Sequence, residues 1–240
     1  MLPYLHLLFI QLGPVKIYTW GFFVSLGFLA AYAVLIKKYP SEKNIFTDSL
    51  LYILIGSMIG ARLFYVLFYA PETLSAIRDF WKIWQGGMSS FGGFFAGFAV
   101  IYFYAKIKKI NLYVLSGKIA FVLPLGLAIS RIGCYLINDH PGIKTIASPL
   151  SVAYPDGPRF DLGLLLLIFD AMLFAYLALK KKKTLYLESF LIIFGAGRFL
   201  LDFLRVEEPR FAGLIPSQYG SILMIAIGIY LLKNYKKYVA

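Results

Sequence analysis

The sequence predicts an all-α integral membrane protein with about seven transmembrane helices, its N-terminus outside the cell and its C-terminus in the cytoplasm. Composition is the first observation behind this prediction: 60% of the 240 residues are hydrophobic, and the mean hydropathy is +0.75. Soluble domains are only about 45–50% apolar. The second observation is the length of the apolar stretches, which suits helices spanning a bilayer and is too great for the strands of a membrane barrel.

Seven apolar stretches approach the roughly 20 residues that a membrane-spanning helix needs. In chain order they occupy residues 18–36, 47–69, 88–105, 112–136, 161–179, 185–204 and 215–232. Little polar sequence separates them, so we predict a single polytopic membrane domain over residues 1–240. Residues 1–16 lack the positive start and the cleavage site of a signal peptide. Their leucine and aromatic content predicts a short segment in the outer interface.

Lysine runs at alternate ends of the predicted spans indicate the orientation. The runs begin at Lys37, Lys106, Lys180 and Lys233 and together hold 13 of the 24 basic residues. Only 7 basic residues lie in the opposite loops, and an excess of Lys and Arg marks the cytoplasmic side. These lysines set the topology and also attract anionic lipid head groups. They account for most of the net charge of +12. Nucleic acid is therefore not expected as a partner.

Few residues are available to bind a metal ion. The single cysteine, Cys134, excludes an intramolecular disulfide and a cluster of thiolate ligands. Of the two histidines, His6 lies in a segment without a motif, and His140 follows the fourth predicted span. We therefore expect no metal site.

Arginines within the predicted spans are the most informative charges. Arg62, Arg131 and Arg198 each lie in the outer half of a span under this orientation. A charged residue at the centre of a membrane helix costs roughly 2.5–3.5 kcal/mol on insertion scales, so it usually faces a cavity or a partner. Arginine binds phosphate through planar bidentate hydrogen bonds and keeps its charge when desolvated. Three such arginines near one leaflet predict a site for a phosphate ester.

The charges around Arg198 allow a structural role as well as a binding one. Asp202 and Arg205 follow it by four and seven residues, which places all three on one helical face. Asp202 then either belongs to the site or simply pairs with one of these arginines. Arg205 and Arg210 lie at or beyond the end of the span, where arginine side chains often reach towards the interface.

Glycines mark the entry to the third span, in the stretch "WQGGMSSFGGFFAG". Gly86 and Gly87 precede the span, whose first amides point outward and suit an anion, and the serines that follow include Ser90. Glycine also lets a ligand approach the backbone closely. The alternative is tight helix packing through small residues, which we expect for Gly93 and Gly97.

The loop "INDHPG" after the fourth span predicts acid–base chemistry. Histidine accepts a proton near neutral pH, and a neighbouring carboxylate orients it or raises its basicity. His140, supported by Asp139, is therefore the candidate catalytic residue close to Arg131. The alternative is a solvated turn without a catalytic role.

These stretches together resemble the prolipoprotein diacylglyceryl transferase family. The motifs are "GARLFYVLFY" followed by "WQGGMSSFGGFFAG", then "SRIGCYLINDHPG", "GAGRFLLDFLR" and "GLIPSQYGSILMIAIG". The resemblance makes Arg131 and Arg198 the counterparts of the family's essential arginines. It also matches Asp139 and Gly142 to the signature's acid and last glycine, and it adds Asp202 and Gln218 to the substrate-binding residues.

The resemblance implies a reaction, its partners and a location. The diacylglyceryl group of phosphatidylglycerol would pass to the lipobox cysteine of a lipoprotein precursor, forming a thioether and releasing glycerol 1-phosphate. The partners are then phosphatidylglycerol, the precursor and membrane lipid, with no metal or organic cofactor. The resemblance places the protein in the bacterial cytoplasmic (inner) membrane, with the active site near the outer leaflet.

Four positions depart from the family pattern. Phe91 stands where the family has a functional histidine, and phenylalanine cannot move a proton. Cys134 and Ile137 replace two asparagines, and Trp20 replaces a tyrosine. These departures predict a divergent member: a transferase, with the same or an altered acceptor, or else a non-catalytic or differently specialised phospholipid-binding paralogue. A transporter is the least favoured class, because the charges gather near one leaflet instead of crossing the midplane.

Overall fold

The computed structural model describes residues 1–68, 81, 90–206 and 210–239, and this part of the chain is mostly helical. Gly86, Gly87 and the loop acids Glu72 and Glu207 lie outside the described residues. The described helices are α1 (Thr19–Lys38), α2 (Lys43–Phe68), α3 (Ser90–Ile107), α4 (Leu112–Ile137), α5 (Leu162–Leu179), α6 (Tyr186–Leu201) and α7 (Pro216–Val239). One of these helices overlaps each of the seven predicted stretches, and the last, α7, extends beyond its stretch to Val239.

Four helical segments of the described chain are long and apolar enough to cross a membrane: Thr19–Lys38, Pro40–Leu67, Leu112–Ile137 and Leu162–Leu179. Phe95–Ile107 is a shorter apolar helix. Because a helix satisfies its own backbone polar groups in hydrocarbon, these segments confirm the predicted class of a helical membrane protein. The number of spans and the orientation of the termini stay predictions.

Short strands, which the hydropathy pattern does not predict, lie between the helices. Strands β1 (Phe9–Leu12) and β2 (Val15–Tyr18) form an antiparallel hairpin whose turn uses Gly13 at φ +58. Strands β3 (Pro141–Lys144), β4 (Ser151–Tyr154) and β5 (Gly157–Asp161) form an antiparallel sheet in the order β3–β5–β4. The hairpin falls at the end of the segment predicted to lie in the outer interface, and the sheet follows α4.

The chain divides into two compact units, one of residues 36–115 and one of residues 1–35 with 116–240. In the first of these, α2 and α3 pack closely through small residues. A Cβ atom added at Gly97 would lie 2.6 Å from Ser57 Oγ, and one at Gly93 would lie 3.5 Å from the Ser57 carbonyl oxygen. Gly97 therefore has the packing role expected of it from the sequence, whereas a Cβ atom at Gly93 would make only an ordinary van der Waals contact. That the whole chain is one membrane domain stays a prediction.

The other unit brings α4, α5 and α6 together through aromatic side chains. The Phe121 ring on α4 lies 5.6 Å from the Phe174 ring on α5 and 4.9 Å from the Tyr186 ring on α6, measured between centroids. Gly197 on α6 contacts the Phe169 ring on α5 so closely that a Cβ atom there would overlap it. These contacts hold side by side the three helices that carry Arg131, Asp170 and Arg198.

A buried carboxylate joins the sheet to α5. Asp161 is fully buried, and its Oδ1 accepts a hydrogen bond from the Leu164 amide at 2.8 Å, which caps the first turn of α5. Its Oδ2 accepts from the Tyr154 hydroxyl at 2.6 Å and from Asn138 Nδ2 at 3.1 Å. Burial and the hydrogen bond to Asp161 raise the pKa of the Tyr154 hydroxyl, which therefore stays a donor at neutral pH.

We expect Asp161→Ala to lower the free energy of unfolding by about 2–4 kcal/mol. The loss combines a helix cap, typically worth about 0.5–2 kcal/mol, with buried partners left unsatisfied at about 1–3 kcal/mol. The measurement is thermal unfolding of the purified protein in detergent. The matched control is Asp156→Ala, which removes an exposed carboxylate that pairs with Lys144 and Arg159. Surface ion pairs contribute little, so equal losses in the two variants would contradict the prediction.

The unequal distribution of lysines between the two ends of the spans predicts the topology of the chain in the membrane. The loops that hold Glu72, His140 and Glu207 should lie outside the cell, and Lys108 and Lys182 inside. We expect a single cysteine introduced at Lys182 in a Cys134→Ser background to resist a membrane-impermeant thiol reagent in intact cells. It should react once the cells are lysed. Reaction of Lys182→Cys in intact cells would overturn the predicted orientation.

Candidate functional site

The end of α4 carries the turn that forms the site. The helix ends at Ile137, and Asn138 adopts a left-handed backbone conformation with φ +49. The buried Asn138 side chain accepts a hydrogen bond from the Leu5 amide at 2.8 Å and donates one to Asp161. Asparagine tolerates this conformation better than most residues. After the turn, a carboxylate oxygen of Asp139 and an imidazole nitrogen of His140 both lie within 4.8 Å of the Cys134 Sγ on α4.

Backbone contacts fix the segment that contains His140. The His140 carbonyl oxygen accepts a hydrogen bond from the Leu162 amide at 3.1 Å. Two residues later Gly142 forms an isolated antiparallel bridge with Arg205. A Cβ atom at Gly142 would lie 2.8 Å from the Phe160 carbonyl oxygen and 3.1 Å from that of Leu204, so only glycine fits without a backbone shift. This close approach brings the loop to the end of α6.

Arginines at the end of α6 share one buried acid. Asp202 is fully buried, and its carboxylate lies 3.1 Å from Arg198 Nε and 3.0 Å from Arg205 Nε. The Ser217 hydroxyl donates a third hydrogen bond to Asp202 at 2.7 Å. Asp202 thus orients both arginines by contacting the Nε atom of each guanidinium group. Two cations against one carboxylate leave this cluster positive.

His140 lies in the field of these arginines. Burial first, and then the charges of Arg205, Arg131 and Arg198 in that order, lower the pKa of its imidazole to about 4. The imidazole Nε2 lies 3.6 Å from Asp139 Oδ1, and the two side chains are 30% and 41% exposed. Burial raises the pKa of Asp139. His140 is therefore neutral at physiological pH and keeps the lone pair that accepts a proton.

This lowered pKa predicts how the stability of the protein depends on pH. An unfolded histidine protonates near 6.5, whereas folded His140 protonates near 4. Between these values the unfolded state binds more protons, so stability falls as the pH falls through this window. We expect the melting temperature of the wild type to drop relative to that of His140→Gln between pH 7 and pH 5. A difference between the two proteins that does not vary with pH would contradict this prediction.

Arg131 and Asp170 complete the charged groups of this region. Arg131 Nη1 lies 3.8 Å from the Sγ of Cys134, which is 3% exposed. Asp170 on α5 is buried, and neither carboxylate oxygen has a hydrogen-bond partner among the described residues. Arg131 and Arg198 both act electrostatically on Asp170. No role was predicted for it from the sequence, although a buried ionisable residue in a membrane helix usually marks a functional region.

The remaining predicted site residues are placed as follows. Gln218 is buried and structural: its Oε1 accepts from the Ile215 amide at 3.0 Å, and its Nε2 donates to the Phe199 carbonyl at 3.1 Å. Arg62 is buried in the unit of residues 36–115, with its guanidinium carbon 5.7 Å from the Tyr65 ring centroid. Ser90 begins α3. Contact of these residues with lipid stays a prediction, as it does for Gly86 and Gly87.

The structure adds residues to the site that were not predicted from the sequence. Asn138 and Asp161 hold the His140 turn in place, and the signal for Asp161 was an acid directly before an apolar run, the usual position of a helix cap. His6, which lies in a segment without a motif, is beside the same turn, with its Nδ1 3.2 Å from the Ile137 carbonyl oxygen. No pattern in the sequence pointed to that contact.

Cations from two helices and a loop surround a neutral histidine, next to the long apolar helices of a membrane protein. Comparison with known proteins agrees with this class. The profile of the prolipoprotein diacylglyceryl transferase family matches residues 7–233. Phosphatidylglycerol–prolipoprotein diacylglyceryl transferases of Francisella tularensis subsp. mediasiatica (strain FSC147) and subsp. novicida (strain U112) are each 31% identical over 250 residues. Each alignment covers 96% of this chain and 93% of the relative.

The chain belongs to the prolipoprotein diacylglyceryl transferase family. It is therefore an enzyme of the transferase class. The family resemblance drawn from the sequence motifs is confirmed.

Proposed function

We propose that this protein transfers the diacylglyceryl group of phosphatidylglycerol to the lipobox cysteine of a prolipoprotein at the outer leaflet of a bacterial cytoplasmic membrane. The observation that carries the proposal is the convergence of the charges of Arg131, Arg198 and Arg205 on His140. A phosphate-binding cluster and a proton acceptor are the two groups that the reaction requires.

The positive cluster suits the phosphate of the lipid. Asp202 carries one negative charge against the two positive charges of Arg198 and Arg205, and Arg131 contacts a thiol. A phosphodiester would therefore meet a net positive charge supplied from α4 and from the end of α6. Such cations stabilise the leaving phosphate more strongly in a water-poor site than in solution.

The reaction breaks a carbon–oxygen bond of the lipid and forms a carbon–sulfur bond to the acceptor. The acceptor thiolate attacks the glyceryl carbon attached to the phosphate oxygen, a thioether bond forms, and glycerol 1-phosphate leaves with the bonding electrons. His140 takes the thiol proton, and the Asp139 carboxylate, whose Oδ1 lies 3.6 Å from Nε2, balances the charge of the imidazolium that forms. A neutral imidazole, as the lowered pKa of His140 requires, is the form that accepts a proton.

The bound lipid would also tune His140. A base with a pKa near 4 accepts a proton weakly, and efficient bases have pKa values near the working pH. The arginine charges contribute to this low pKa, and a bound phosphate offsets those charges. Lipid binding would therefore raise the pKa of His140 towards neutrality, so that the base becomes effective only when the donor lipid is in place.

A second candidate is a differently specialised phospholipid-binding paralogue, which would transfer the group to another acceptor. Phe91, in the place of the family's histidine, favours it. Complementation separates the two functions: the gene is expressed in a bacterial strain depleted of its own transferase, and lipid labelling of a lipoprotein is measured. We expect growth and labelling with the wild type and neither with Arg131→Ala. Failure of the wild type to label, with normal expression and retained phosphatidylglycerol binding, would favour the paralogue.

A further inference from the structure

We propose that Cys134, Asp139 and His140 form a binding site for a divalent transition-metal ion of the zinc class. One sulfur, one carboxylate oxygen and one imidazole nitrogen lie within 4.8 Å of one another. The left-handed turn at Asn138 brings the last two back to the thiol on α4. The sequence alone predicts no metal site, because the chain has only one cysteine and two histidines.

The geometry is close to that of a metal site. Zinc binds sulfur at about 2.3 Å and nitrogen or oxygen at about 2.0–2.2 Å, so tetrahedral ligands lie roughly 3.5 Å apart. Contraction of the cluster by about 1 Å brings the three donors to this separation. The partly exposed Asp139 and His140 side chains have room to move, while Cys134 is fixed in the helix. Their exposure also gives an ion a path from solvent.

The donor set selects the class of ion. A thiolate with an imidazole favours zinc and similar ions over calcium or magnesium, which prefer oxygen ligands. Three protein ligands with an open fourth position are typical of zinc sites that also bind water or a substrate. Thiolate and carboxylate together supply two negative charges, which balance a divalent ion.

The position of Arg131 offers a separate test of the proposed metal site. Its Nη1 lies 3.8 Å from the Cys134 sulfur, so it repels a second cation at the same place. Replacing Arg131 with glutamine should therefore tighten metal binding by about tenfold or more. An effect in this direction distinguishes a metal held at the sulfur from one held elsewhere on the protein.

Occupancy of the site has a consequence for activity. A bound ion takes the imidazole lone pair that His140 needs to accept a proton. The metal would therefore compete with catalysis, a consequence that rests on the proposed transferase function. Metal binding itself does not rest on it, and a titration with cobalt measures binding alone.

Cobalt is the probe, because a thiolate bound to Co²⁺ gives a charge-transfer absorption band. Cys134 is the chain's only cysteine, so any such band in the purified, reduced protein belongs to this site. We expect one Co²⁺ per chain, a band that Zn²⁺ removes, and no band in Cys134→Ser. Loss of an outer-sphere partner typically costs 10–100-fold in affinity, so His140→Ala and Asp139→Asn, which remove ligands, should weaken Co²⁺ binding at least about tenfold.

The matched control is His6→Ala, which removes the only other histidine of the chain, beside the Asn138 turn, and should keep the band. A wild-type protein without a charge-transfer band at saturating Co²⁺ would overturn the proposal. A band of unchanged affinity in both His140→Ala and Asp139→Asn would also overturn it. If the band appears and complementation fails, the metal site stands and the transferase function does not.

Discussion

Arg131→Ala should lower diacylglyceryl transfer by about 100- to 1000-fold, the usual cost of removing one preorganised group that stabilises a developing negative charge. Arg131 is the one cation of the cluster that comes from α4, and Asp202 orients the other two. Its loss therefore leaves one side of the phosphate without a charged partner. Arg131→Lys keeps the charge but loses the planar bidentate geometry, so it should recover only part of the activity.

The measurement is transfer of labelled diacylglyceryl from phosphatidylglycerol to a lipobox peptide, together with binding of the lipid. Lys182→Ala is the control, because it removes a positive charge from the lysine run predicted to lie on the cytoplasmic side. It should change neither quantity. Equal activity of Arg131→Ala and the wild type would show that the phosphate is held elsewhere.

The hydropathy pattern was enough to predict the helices but not the strands. Spans such as 112–136 were predictable to within one residue of α4 (Leu112–Ile137), because an apolar run of that length has few alternatives to a membrane helix. The strands β1 to β5 are four or five residues long. Strands this short show too little alternation of polar and apolar residues to be recognised. The bridge between Leu2 and Val152, which are distant in sequence, is likewise encoded by no local pattern.

The candidate site was predictable in its charges but not in its geometry. Arg131 and Arg198 stand out because charge in an apolar helix is costly. The part that sequence alone could not give is the turn at Asn138, whose left-handed conformation depends on partners such as Leu5 and Asp161. That turn brings Cys134 next to Asp139 and His140. The sequence predicts no role for Asp170, because only the packing of α4, α5 and α6 brings its carboxylate into the electrostatic field of two arginines.

His140→Ala should lower transfer by about 10²–10⁴-fold, the range that a positioned acid or base contributes, and should leave phosphatidylglycerol binding nearly unchanged. The imidazole is neutral at physiological pH, and Arg205, Arg131 and Arg198 all act on it electrostatically. It therefore lies in the field of the proposed phosphate site, where we expect it to receive the proton of the incoming thiol. The imidazole is not among the cations that hold the lipid, so its removal affects the chemical step and not the affinity.

The assay should contain a chelator, so that metal bound at Cys134 does not affect the comparison. The control is His6→Ala, since His6 lies beside the same turn but its ring faces Tyr4 and the end of α4. A second variant, His140→Ala with Phe91→His, restores the family's histidine at its usual position and should recover part of the lost activity. Full activity of His140→Ala alone would show that the phosphate itself or water accepts the thiol proton, and that the Asn138–Gly142 turn is only a structural element.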